Sequence, residues 1–270
     1  MDITVILEPF SFSFFSKAFF VGILIALSYS LVGSLIVARR ETIITHTLSS
    51  FSLLGIVIFA SLGLSLEAGV YIGALLGLLA VHLLERVGLS QKDAVLTFLA
   101  ETALALSIIL LAAFKVTKID LSQFLFGNIL GLSTSDLILV TIVTFLVFGL
   151  FCFQGRNLVK IILSPEIAQA SGIRVGLLNF TYSLLVALVV AVGVRAIGGL
   201  LVSAMIVVPA LTAKLLAKNF RNYQIIASMI AVFAVISGLY LSYFINIPTG
   251  PTIVVGMSVI YLLALVFRTK

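Results

Sequence analysis

The chain has 270 residues, of which 62% are hydrophobic and only 10% charged, with a net charge of +6. Soluble globular domains carry about 25% charged residues, so a water-solvated exterior is excluded and lipid must be the solvent for most of the chain. The 16 basic residues stand mostly singly between apolar runs, which argues against a nucleic-acid partner and marks them as anchors at a membrane surface.

A helix needs about 20 apolar residues to cross the hydrocarbon core. On that measure the sequence predicts an all-α, polytopic membrane bundle, a single membrane domain over 1–270 with nine spans. They run over 17–38, 43–64, 68–86, 93–114, 132–153, 177–195, 198–217, 222–244 and 251–267. The N-terminus carries Asp2 and Glu8 and lacks the basic start and small-residue cleavage site of a secretory signal, so no cleavable leader is predicted. Gly73 and Gly77 form a small-xxx-small pair in the third span, a helix-packing face. Glu67, just before that span, reads as a solvated residue of an outer loop. Cys152, the only cysteine, sits in an apolar run, which rules out an internal disulfide and predicts a small buried hydrophobe.

The longest predicted connection covers about 154–176. Within it Ser164-Pro165-Glu166 reads as a helix start, with a serine cap, proline at the first position and an acid near the positive helix end. Gly172 is placed to end that short helix. It either orders a surface loop or docks a partner. Further on, only Arg195 to Ile197 separate the sixth and seventh spans, with Gly198 and Gly199 as the break, and Pro209 predicts a kink in the seventh.

The positive-inside rule orients the bundle. With the N-terminus outside and the C-terminus in the cytoplasm, the inner segments hold Arg39, Arg40, Arg86, Lys92, Arg156, Lys160, Arg174, Lys214, Lys218, Arg221, Arg268 and Lys270. The outer segments hold only Lys17, Lys115, Lys118 and Arg195. The predicted location is the cell membrane, multi-pass.

Ionisable residues inside spans cost about 2.5–3.5 kcal/mol each on insertion scales and read by default as functional. Glu101 lies near the middle of the fourth span, with Thr97 and Thr102 close by; a lone glutamate there is protonated, paired or coordinating a cation. His46 lies about one turn into the second span, and Ser50, four residues on, shares its face; Ser49 and Thr42 widen the polar stripe. Imidazole suits zinc, copper, iron and nickel, and carboxylate also suits manganese. The competing readings are an interfacial histidine near Arg39 and Arg40 and a protonated, hydrogen-bonded glutamate. His46 and Glu101 enter from the same side at comparable depth, so they can meet across a helix pair. His82, beside Glu85 and Arg86, reads as an interface residue.

No Gly-x-x-x-x-Gly-Lys-Ser/Thr loop, His-Glu-x-x-His, Gly-x-Ser-x-Gly or Cys-x-x-Cys occurs. The chain therefore carries no nucleotide-phosphate cradle or familiar hydrolase signature, and any ATP hydrolysis must come from another subunit.

Five stretches in order resemble the metal-ion class of ABC-transporter permeases, which serve zinc, manganese and iron uptake. They are Val32-Gly33-Ser34 leading to Arg39-Arg40 and Leu54-Gly55; Phe124 to Asn128 with its Leu-Phe-Gly-Asn signature; Glu166 to Gly172, with Ala168 and Gly172 matching; Gly198 to Ala213; and Pro248 to Thr252. The resemblance covers about Ala26 to Ile260. It implies a permease homodimer or pseudo-dimer, two cytoplasmic ATP-binding subunits and an extracytoplasmic metal-binding protein. It also makes Ser164, Glu166, Ala168 and Gly172 the segment that engages the ATPase.

The sequence departs from that family at the second span. Members commonly carry an aspartate there with a histidine four residues later; the matching positions here are His46 and Ser50. Glu101 falls where members place a glutamate or histidine ligand. The expected metal site is therefore His46, Glu101 and Ser50, with zinc favoured over manganese as the transported ion and no permanently bound cofactor. A permease for a metal chelate and a secondary transporter without an ATPase stay open as alternatives.

Overall fold

The computed structural model describes residues 8–87, 91–114, 127 and 131–267. Among these, a short 3-10 turn at Glu8–Ser11 precedes ten α-helices. They are α1 Ser13–Arg39, α2 Thr42–Ser61, α3 Leu66–Val87, α4 Lys92–Ala113, α5 Thr134–Leu163, α6 Pro165–Ala170, α7 Val175–Ile197, α8 Gly199–Leu216, α9 Phe220–Ile245 and α10 Thr249–Phe267. Nine of them, all but α6, are long and apolar enough to cross a membrane. The Leu-Phe-Gly-Asn signature lies outside the described residues except for Gly127.

Helix ends follow local chemistry. The side chain of Ser133 accepts a hydrogen bond from the Asp136 amide at 3.2 Å, and Asp136 Oδ2 accepts one from the Ser133 amide at 3.0 Å. This reciprocal capping box starts α5. Asn219 caps α9 by accepting from the Asn222 amide at 2.8 Å. Gly198 has φ +93°, a conformation closed to most L-residues; it ends α7 and starts α8 in one residue, which fulfils the predicted break.

α1 runs through the centre, burying Phe15, Tyr29, Leu35 and Ile36 against α5, α8 and α9. The C-terminal half of α7 is buried almost throughout, from Leu185 to Ile197. α2 and α3 meet closely where Gly69 faces Gly55 and Gly73 faces the Phe51 carbonyl and Ser52 Cα, leaving no room for a side chain. Large apolar side chains such as Phe145, Phe153 and Leu263 point outward, as they must where the solvent is lipid.

Contacts show which ends share a side. At one end Lys17 Nζ donates to Thr134 Oγ1 at 3.4 Å, and Arg195 at the end of α7 reaches Glu67 at the start of α3. At the other, Arg39 donates to Asn179 Oδ1 at 3.1 Å and Lys92 pairs with Glu85 at 2.7 Å.

Three expectations change. α5 does not stop near 153 but continues to Leu163; Gln154 to Arg156 are compatible with a helix, and Leu158 and Ile161 are buried beyond them. The connection shrinks to 164–174. Cys152 is exposed, because it faces outward on α5 beside Phe153, which is also exposed. Glu67 is solvated as expected, but it belongs to the first turn of α3 rather than to a loop and pairs with Arg195 at the end of α7.

Candidate functional site

His46 stands one turn into α2, and Glu101 stands mid-way along α4. Their side chains converge: His46 Nε2 lies 3.3 Å from Glu101 Oε1. The two helices pack along their length, and the buried Leu96, Ala100 and Ala103 turn the inner face of α4 against its neighbours. Glu101 lies off that face. Its side chain is 62% exposed and that of His46 is 32% exposed. A carboxylate half-way through a spanning helix has no tolerable place in hydrocarbon, so this face of α4 calls for water or protein against it.

Ser50 is buried, with its Oγ paired to no protein group. It lines a small cleft with His46, Ser49, Leu53, Leu104, Gly199 and Leu200. Of the three predicted site residues, His46 and Ser50 line this cleft, and Glu101 reaches it only through its contact with His46. Ser49 donates to the Gly199 carbonyl at 2.5 Å, tying α2 to the start of α8 across the Gly198 break. Thr97 and Thr102 take no part: each hydroxyl donates to a carbonyl of its own helix, Asp93 and Phe98 respectively. His82 Nδ1 lies 3.9 Å from Glu85 Oε2 and its ring packs edge-on to Phe180, an interface position well apart from the cleft.

Among the described residues no group of three or more His, Cys, Asp and Glu side chains converges. One chain therefore offers a nitrogen, a carboxylate and a hydroxyl at this place. Such a mixed and sparse set suits an ion that must be released, since a closed structural zinc site holds four ligands.

α6 has the expected build. Ser164 Oγ accepts from the Ile167 amide at 3.4 Å and donates to Glu166 Oε2 at 2.8 Å. The helix-start amide of Glu166, and after it that bond from Ser164, hold its carboxyl below the usual range. The helix closes with amide bonds from Gly172 to the Gln169 carbonyl and from Ile173 to the Ala168 carbonyl, with Gly172 at φ +79°; this is a Schellman motif. Ala168 is fully buried while Ile167 projects outward, so one face is anchored and the other is free.

Sequence reasoning did not reach a second polar centre at the opposite end. Arg195 Nη2 lies 2.8 Å from Asp136 Oδ1 and 3.0 Å from Glu67 Oε1. A Cβ on Gly127 would collide with the Ile197 carbonyl beside it, so the Gly127 backbone lies directly on the α7–α8 break. Near the other end, Arg39 lies over the Tyr182 ring at 4.4 Å. Glu41 is half-buried next to it, and burial pushes its carboxyl up despite Arg39 and Lys92.

The model of the ABC 3 transport family matches residues 11–268. The chain is 29% identical to the manganese transport system membrane protein MntC of Halalkalibacterium halodurans, over 96% of this chain and 89% of that protein. It is 27% identical to the high-affinity zinc uptake system membrane protein ZnuB of Haemophilus influenzae, over 96% and 99%. Among solved structures, PsaBC from Streptococcus pneumoniae in complex with Fab superposes with a TM-score of 0.85 at 25% identity, covering 98% of this chain and 95% of that one.

Proposed function

This chain belongs to the ABC 3 transport family, and on that premise we propose that it is the membrane-spanning permease subunit of an ATP-driven importer of a divalent transition-metal ion, with zinc favoured over manganese. The observation that carries the reading is the approach of His46 Nε2 to Glu101 Oε1, 3.3 Å apart between two spanning helices. Neutral imidazole and carboxylate are both good ligands for zinc, whereas manganese prefers an oxygen-rich shell. Relatives named for manganese and for zinc transport are both consistent with such a site.

The exposure of Glu101 in the single chain supports a second permease against α4, so that a two-fold axis brings two histidines and two glutamates to one path. ATP-binding subunits on the cytoplasmic side would engage α6 through Glu166 and the free Ile167 face, with Ser164, Ala168 and Gly172 holding the helix in shape. Their motion would pass through α5 and α7, which flank it, to the cleft. An extracytoplasmic metal-binding protein would deliver the ion at the Arg195 end, placing the N-terminus outside and the C-terminus in the cytoplasm of the cell membrane.

The test is uptake in proteoliposomes carrying the chain with its ATPase and binding protein, comparing zinc with manganese and wild type with Glu101→Gln. ATP-dependent uptake of one free ion, lost in the variant, supports the proposal and identifies the cargo. Uptake of a metal chelate alone, indifferent to Glu101, transfers the assignment to a chelate permease.

A further inference from the structure

A cavity of about 680 Å³ lies between the last turns of α5, the 171–174 loop and the first turns of α7. It is distinct from the His46–Glu101 cleft and touches α6 only through the loop that follows it. Its lining is divided. Leu150 and Leu177 supply apolar walls, and Gln154, Asn157, Lys160 and Arg174 supply polar ones. Along α5 the order is apolar first and polar last, the order of a lipid's acyl root and headgroup.

The depth agrees. α5 has 30 residues, so at about 1.5 Å per residue it is roughly 45 Å long, against a hydrocarbon core of about 30 Å. Asn157 and Lys160 fall in the excess, at headgroup level. The charge is uncompensated. Neither Lys160 nor Arg174 makes an ion pair among the described residues. Glu166 is the only acidic residue after Asp136 in the whole chain, and it is exposed and bonded to Ser164.

We infer that this cavity holds the phosphate headgroup of an anionic phospholipid, with Lys160 and Arg174 on the phosphate and the Gln154 and Asn157 amides beside it. Basic pockets between spanning helices have the chemistry for such headgroups. A phosphate ion from solution offers the same charge but nothing to cover Leu150 and Leu177. A lipid bound here touches the loop that closes α6, which makes the bilayer's anionic lipid content an input to that helix.

The experiment is independent of transport. The full-length chain is reconstituted in vesicles of phosphatidylcholine with or without one-fifth phosphatidylglycerol, repurified in mild detergent, and its retained phospholipid measured by mass spectrometry. Lys160→Gln/Arg174→Gln is compared with wild type and with Lys214→Gln/Lys218→Gln, which removes equal charge elsewhere. The expected result is retained phosphatidylglycerol on wild type and on the charge-matched control, reduced at least tenfold in the cavity variant and not displaced by 10 mM inorganic phosphate. Equal retention by all three proteins overturns the inference, as does equal loss in both variants. Displacement by inorganic phosphate overturns the lipid in favour of a free anion.

Discussion

The guanidinium of Arg195, the last charged residue of α7, lies 2.8 Å from the carboxylate of Asp136, which also completes the capping box of α5. One acid therefore does two things: it starts a 30-residue helix and pins the end of another. Both side chains are largely buried. Removing one member of a buried pair costs about 3–5 kcal/mol, and losing a cap about 1 kcal/mol. Asp136→Ala should lower the thermal midpoint in detergent far more than Glu67→Gln, whose exposed pair with the same arginine is worth about 0–1 kcal/mol. Equal shifts would show that Arg195 leans on Glu67 instead.

Ser50→Ala should separate folding from function. A buried polar group without a partner costs about 1–3 kcal/mol, so the variant is expected to be at least as stable as wild type without metal. It should also bind the transported ion more weakly, since it loses the hydroxyl in the proposed site. Isothermal titration and thermal unfolding of one preparation give both numbers.

His46→Ala should lose uptake more completely than Ser50→Ala. Even outer partners of metal ligands change affinity by about 10–100-fold, and loss of the nitrogen proposed as a direct ligand should exceed that range. Uptake at wild-type level in His46→Ala would remove this histidine from the path.

Glu41 gives a pH signature. Its carboxyl is raised by burial, so the folded state holds its proton more tightly than the unfolded chain does. The stability this contributes is present below the unfolded value near 4.5 and is lost as pH rises through the folded one. Glu41→Gln should therefore gain on wild type as pH rises from 4 to 8. A gap independent of pH would contradict the burial effect.

Ser164→Ala should fray α6 by about 1 kcal/mol while leaving metal binding at the proposed His46–Glu101 site intact. The readout is the ratio of metal transported to ATP consumed, which is expected to fall. An unchanged ratio would place the ATPase contact elsewhere.

Hydropathy made the nine spans legible because each must individually satisfy the bilayer. The Ser164 and Gly172 punctuation was equally plain, since caps are local. The convergence of His46 and Glu101 was anticipated from common depth alone; the 3.3 Å approach depends on how α2 and α4 rotate, which no local signal encodes. The Arg195 centre was missed because its acids come from α3 and α5, 128 and 59 residues away in sequence. The extent of α5 was misjudged because hydropathy falls at Gln154 and Gly155 weakens the local helix signal, while the burial of Leu158 and Ile161 that carries the helix on is a tertiary contact.

The outward-facing Cys152 has a practical sequel. It is the chain's single thiol and sits beside Phe153 on the outward face of α5, where hydrocarbon shields it from water-soluble reagents. Water-soluble maleimides should pass it by in intact vesicles. New cysteines at positions 67 and 166 can then be labelled on the native background, and which one reacts from outside reads the sidedness of the molecule in a single gel.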